Sequence, residues 1–245
     1  SNSSHIYNSH RLCLSAEKSR QIFSQAIDPD APTRLAGMGD LVGIVMGAGS
    51  SRRLGRPKQT LPFGGQSLLS HVMGDIEEAH SLTRVYLVLG GSCEEAEDSL
   101  SLQRSQTVYN DGYGEGCASS LLAGLDAAGE CDAVMMLLGD MPGVTAEIID
   151  AVVAAWRQSP SWAAVTNYRG QLGHPFIFSA SSFDELRQLH GDKAVWKIVD
   201  SAPESRLTRV PVDKPLPRDI DTWDDYETAC AMFNFPVIDQ AHSSR

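Results

Sequence analysis

The sequence predicts an α/β fold, a mostly parallel sheet with helices on both of its faces. Three observations carry this. Leu41–Met46, Val85–Leu89 and Ala133–Leu138 are short apolar runs with almost no polar residues, the pattern of strands buried on both sides. Each ends in a loop that contains glycine, and the segments between them repeat their apolar residues at helical spacing. Strand, helix, strand, repeated, is how a chain builds a parallel sheet with both faces covered.

Residues 1–38 read as an N-terminal extension, rich in Ser and Asn at its start and ending in Asp28-Pro29-Asp30-Ala31-Pro32. Leu14, Ile22, Phe23 and Ala26 would give a weak amphipathic helix over 15–26. The flanking Ser and Pro favour a segment that orders on contact or stays mobile, and a natural extension, an interaction arm and a stretch appended to the natural chain all stay open. The folded domain is taken as 39–235, with 236–245 as a C-terminal tail.

After the first strand comes Gly47-Ala48-Gly49-Ser50-Ser51-Arg52-Arg53-Leu54-Gly55-Arg56-Pro57-Lys58. Glycines let backbone approach a ligand closely, and successive N–H groups in such a turn form a concavity that binds anions. With cations at its end, the ligand expected is a polyphosphate. Open α/β sheets bind ligands where strands end. Neither GxGxxG nor GxxxxGK[ST] fits, because Arg52 stands at the third glycine of the first and the second frame is absent. A Gly-rich surface turn with scattered basic residues is the alternative.

Residues 61–65 make a turn, and Ser67 is placed to N-cap a helix to about His80, with Leu68, Leu69, Val72, Met73 and Ile76 on one face. Residues 85–89 form the second strand, 94–100 an acidic helix face, and 107–109 a short strand entering the loop 110–116. Small residues from Cys117 open the next helix, whose N-terminus offers N–H groups to ribose or phosphate oxygens, or else is an ordinary cap. The third strand ends at Gly139-Asp140-Met141-Pro142. A carboxylate there is costly to bury unless it is paired or metal-bound, so Asp140 is the foremost candidate. Thr145 is placed to cap a helix carrying Ile148, Ile149, Val152 and Trp156. Residues 162–166 and 175–178 read as strands separated by 168–174, in which His174 is structural or catalytic. Near the end, Asp219 and Asp221 alternate along an extended segment and so share a face, as metal ligands or as an acidic N-cap cluster.

A net charge of −11 argues against a general nucleic-acid binder or an anionic membrane surface. Five cysteines without a CxxC pair and seven histidines without HxxxH make zinc an unsuitable metal and suggest reduced thiols. No apolar run reaches the length of a membrane span. The expectation is a cytoplasmic protein with no nucleic-acid or membrane partner.

Read with Gly49, Ser51, Arg53, Gly55 and Lys58 as anchors, the loop resembles the L-A-A-G-x-S-x-R-M-G-x-x-K signature of the MobA-like nucleotidyltransferases, and 49–69 is most similar to the molybdenum cofactor cytidylyltransferases. Gly47 and Leu54 stand where that family has alanine and methionine. The resemblance, over about 41–230, implies a Rossmann-like three-layer α/β/α nucleotidyltransferase fold. It also implies transfer of CMP from CTP to the phosphate of Mo-molybdopterin, with Mg2+ as cofactor and a molybdoenzyme as the further partner. It gives Arg53, Lys58 and Asp140 catalytic roles, and puts Ala48, Gly49, Ser50, Ser51, Gly55, Gly90, Gly116 and Ser119 around the nucleotide. It makes Asp140 and Asp221 the metal ligands with Asp219 in support, and His174, Asp192 and Lys193 the acceptor side. Two other readings stand beside it. One is a guanylyltransferase or another small-phosphate nucleotidyltransferase; the other is a non-catalytic carrier of molybdenum cofactor.

Overall fold

Every residue of Leu41–Met46 (β1) is buried, and its side chains alternate between two separate apolar cores: Leu41 and Val45 face one, Val42, Ile44 and Met46 the other. A strand with no polar face must be covered twice, and this one is. The computed structural model describes residues 39–49, 51, 53–90 and 94–238. The extension at 1–38 with its expected helix, Ser50, Arg52, Cys93 and the tail from 239 lie outside the described residues.

Beside β1 lie β4 (Arg84–Gly90) and β6 (Ala133–Leu138), both parallel to it. Counting the small hairpin β2 (Pro62–Phe63) and β3 (Gln66–Ser67), the remaining strands are β5 (Ser105–Asn110), β7 (Ala163–Tyr168), β8 (Gln171–Ser179) and β9 (Leu207–Val212). The main sheet has seven strands in the order β5-β4-β1-β6-β8-β7-β9. Strand β8 runs against both of its neighbours, and β7 and β9 return to the direction of β1. The sheet is therefore mostly parallel, as expected.

On one face pack α1 (Leu68–Glu78), α4 (Ala146–Gln158) and α7 (Trp223–Met232), which contribute Val72, Ile149 and Tyr226 to the first core. On the other pack α3 (Cys117–Ala128), α5 (Phe183–Leu186) and α6 (Ala194–Ser201), through Leu121, Leu186 and Val199. The helix α2 (Glu94–Asp98) is shorter than the acidic stretch suggested. The result is a Rossmann-like three-layer α/β/α arrangement.

The caps agree with the sequence in part. Ser67 accepts from the Ser70 N–H, and Thr222 and Asp225 form a capping box. Thr145 stands at its cap position without a side-chain bond. The expected loop at 168–174 is instead a hairpin: Tyr168 pairs with Gln171 across the two-residue turn Arg169-Gly170, both at positive φ. The register then slips between Val165 and Thr166, which leaves His174 and Pro175 as a bulge on β8.

Candidate active site

Because β4, β1 and β6 are parallel neighbours, the loops after them emerge side by side. The Gly47 N–H donates to Val88 O (2.8 Å) and the Gly139 N–H to Met46 O (3.0 Å), which continues the ladder past the strand ends. The Ile220 N–H donates to Asp140 O (3.0 Å), and this bond delivers the 217–222 segment to the same place. Ile220 is buried, whereas Asp219 is exposed and Asp221 half-buried, so the two carboxylates share the outward face that their alternation predicted.

Between these loops opens a cleft of about 870 Å³. Of the sequence-predicted residues, Ala48, Gly49, Ser51, Arg53, Lys58, Gly116, Asp140, His174, Asp192, Lys193, Asp219 and Asp221 line it. Gly55, Gly90 and Ser119 do not, and Ser50 lies outside the described residues. Gly55 sits at an exposed turn closed on Ser51 O. Gly90 lies under Tyr113, whose Cγ is 2.6 Å from where a Cβ would stand; Tyr113 lines the cleft in its place. The Ser119 hydroxyl accepts from Asn110 Nδ2 (2.9 Å) and lies 2.9 and 2.8 Å from the carbonyls of Gly112 and Gly116. It ties the loop to α3, and Ser120 faces the cleft instead.

The centre of the site is an ion cluster. Lys58 leaves a single 3-10 turn (58–60), and its side chain is only 8% exposed. Its Nζ meets an oxygen of Asp140 and, at 2.8 Å, Oδ1 of Asp221, whose other oxygen is held by the exposed Arg53. Burial alone would lower the Lys58 pKa, but the charges and hydrogen bonds of Asp140 and Asp221 outweigh it and leave it raised. Burial, and then the neighbouring Asp219 and Asp221, raise Asp140 against the pull of Lys58. At Asp221 burial works upward too, but Lys58 and Arg53 prevail and lower it. Three carboxylates thus face one buried ammonium and one exposed guanidinium, a local surplus of negative charge.

Asp140 and Asp221 fit a hard cation. Both put an oxygen on the same ammonium, so the two carboxylates converge on one point, and carboxylate oxygen is the donor Mg2+ prefers. Among the described residues no group of three or more His, Cys, Asp or Glu could hold a metal by itself.

The helix N-terminus at Cys117 differs from expectation. Its N–H is already taken by Asp192 Oδ1 at 3.1 Å, and the Ala118 N–H donates to Gly191 O. Gly116 sits directly against this loop, since a Cβ there would fall 2.7 Å from Gly191 C and 2.8 Å from Asp192 N. Asp192 therefore clasps its own loop directly to the loop that opens α3. Lys193 follows it, exposed and with positive φ.

His174 is 4% exposed, stacks on Phe176 (centroids 4.1 Å apart) and meets Trp196 edge-on. Burial lowers its pKa to about 4, with a smaller opposing effect from a hydrogen bond to the Met136 backbone. The imidazole is neutral at pH 7, and its buried Nδ1 has no hydrogen-bond partner. Sequence reasoning missed Gln59, Tyr113, Ser120 and Trp196, all of which line the cleft. Among the described residues Cys117, Cys131 and Cys230 are free thiols, and no helix is long and apolar enough to cross a membrane.

Residues 43–208 match the model of the MobA-like NTP transferase domain. The crystal structure of Rv0371c from Mycobacterium tuberculosis H37Rv is 32% identical, with a TM-score of 0.71 over 79% of this chain and 99% of that one. A manganese complex of Rv0371c aligns at 28% identity and TM-score 0.65, over 77% and 97%. A molybdenum cofactor guanylyltransferase from Mesorhizobium japonicum is 30% identical over 66% of this chain and 77% of its own length. A nicotine blue oxidoreductase from Paenarthrobacter nicotinovorans is 27% identical over 57% and 71%.

Proposed function

The chain belongs to the MobA-like NTP transferase family and is a nucleotidyltransferase; from that premise we propose that it transfers CMP from CTP to the phosphate of Mo-molybdopterin, releasing pyrophosphate. The observation that carries this reading is the meeting of the loop cations Arg53 and Lys58 with Asp140, after strand β6, and Asp221, just before α7, on one wall of a cleft large enough for two ligands.

Such a transfer asks the protein for in-line positioning and neutralisation of charge, not for a nucleophile of its own. The loop from Ala48 to Ser51 would cradle the β- and γ-phosphates. Arg53 can grip phosphate bidentately, and Lys58 acts as a point charge on the transferred group. Asp140 and Asp221 would hold Mg2+, which when bound neutralises phosphate charge and orients the oxygens it contacts. The Rv0371c structure with manganese supports a divalent ion. Across the cleft, Trp196 offers an apolar face, which suits a flat heterocycle. Lys193 would steer the acceptor's phosphate. The dinucleotide product would pass to a molybdoenzyme.

Cytidine rests on the loop's resemblance to the cytidylyltransferases, in which Ala48 precedes Gly49 where guanylyltransferases have two glycines. The Mesorhizobium relative favours GTP as the second reading. A carrier without catalysis has no use for a metal poised at a triphosphate.

The test is product analysis with Mg2+, Mo-molybdopterin and each of CTP, GTP, ATP and UTP. Cytosine dinucleotide and pyrophosphate from CTP alone are expected; a guanine product would select the second reading, and no transfer from any nucleotide would remove the pterin acceptor. Asp140→Asn should keep the fold and lose most of the transfer. Undiminished turnover in that variant would refute the site.

A further inference from the structure

Gln59 is buried (4% exposed) although glutamine is seldom wholly inside, and its amide is spent on backbone. Nε2 donates to Gly47 O at 2.7 Å and to Gly49 O at 3.1 Å. Both carbonyls belong to the glycine-rich loop, and Gln59 is the residue directly after Lys58 in the same one-turn 3-10 helix. With three residues per turn, neighbouring side chains leave such a helix in different directions. Lys58 goes to the carboxylates, and Gln59 goes to the loop.

A trans peptide holds its C=O and N–H on opposite sides of one plane. With the Gly47 carbonyl fastened to Gln59, the Ala48 N–H must point the other way and cannot rotate without breaking a buried bond. The second bond fixes Gly49, where flexible backbone would otherwise sample many conformations. An anion site built from backbone amides works only if those amides are already aligned when the anion arrives.

We infer that Gln59 is a positioning residue for nucleotidyl transfer: it holds the Gly47–Gly49 backbone in the orientation that receives the β- and γ-phosphates, without touching the nucleotide itself. This rests on the reading that the loop cradles a triphosphate. Two substitutions separate the role from packing. Gln59→Leu keeps the bulk and removes both donors, and Gln59→Glu keeps the shape but presents oxygens to two carbonyls.

Calorimetric titrations with Mg2+ would compare CTP with CMP, and GTP with GMP, so that the choice of base does not decide the outcome. In the wild type the triphosphate should bind at least tenfold tighter than the monophosphate. Both variants should lose most of that ratio while monophosphate affinity stays within about twofold, whereas a merely structural defect would weaken both ligands together. Variants that keep the wild-type ratio, or that lose both affinities in parallel, overturn the role of Gln59. A wild type with no triphosphate preference overturns the loop reading itself. Where neither variant folds, the unaltered protein decides: the Ala48 amide resonance should shift on addition of CTP or GTP, whichever binds, and stay still with the matching monophosphate, and a resonance unmoved by both triphosphates refutes the inference.

Discussion

Lys58→Met removes the central ammonium while keeping much of its stem, and its cost can be worked from the site. Deleting one partner of a fully buried ion pair costs about 3–5 kcal/mol, because the other charge is left alone. The Asp221 side chain is 34% exposed and keeps Arg53, so its share falls toward the ~0–1 kcal/mol of a surface pair. Asp140, 18% exposed, bears most of the remainder. The expected loss is about 2–3 kcal/mol in metal-free buffer. The same substitution bares two converging carboxylates, and a divalent cation present at about a hundred times its dissociation constant would return about 2.7 kcal/mol. In the wild type the cation must first displace Lys58, so its gain from metal alone should be much smaller. Urea denaturation of both proteins in EDTA and in millimolar Mn2+ reads all four stabilities. Equal stability in EDTA, or an equal gain from metal, would refute the view that Lys58 holds these carboxylates together where a metal would sit.

His174 gives a pH prediction. Its folded pKa of about 4 lies below the unfolded value of 6.5, so the unfolded chain binds the proton first on acidification. The contribution is whole above about pH 6.5 and is lost as pH falls toward 4, amounting to about 2 kcal/mol by pH 5. His174→Phe should flatten the stability profile between pH 7 and 5 by that amount, and parallel profiles would contradict the burial argument. Gly116→Ala should lower the urea midpoint by about 1–3 kcal/mol of stability, since φ is +105° and the new methyl meets the backbone of Gly191 and Asp192; an unshifted midpoint would mean that the clasp between the two loops is not tight.

What could be read from the sequence follows from where each residue's constraint comes from. Strands β1, β4 and β6 announce themselves because both faces are buried, which leaves no room for polar residues. Strand β9 is not legible in the sequence: it pairs with β7 alone, buries only Val210, and contains Pro211, all marks of an edge. The β7–β8 turn carried a signal that was passed over, because Arg169-Gly170 between two stretches of strand-like residues is a two-residue hairpin loop with positive φ at both positions.

The site divides along the same line. Asp140 and the glycine loop stand at the ends of adjacent parallel strands, so local pattern and the strand-end rule suffice to find them. Asp192 and Gln59 owe their roles to contacts that local pattern does not encode. Asp192 caps a helix that starts 75 residues earlier in the chain. Gln59 is bonded to loop carbonyls 10 and 12 residues before it, across a turn whose path is set by the fold. The groups expected to contact phosphate were therefore legible, and the groups that hold them in position were not. The second kind decides whether the first is aligned, which is why removing two hydrogen bonds at Gln59 should change triphosphate affinity although no atom of that side chain needs to reach the nucleotide.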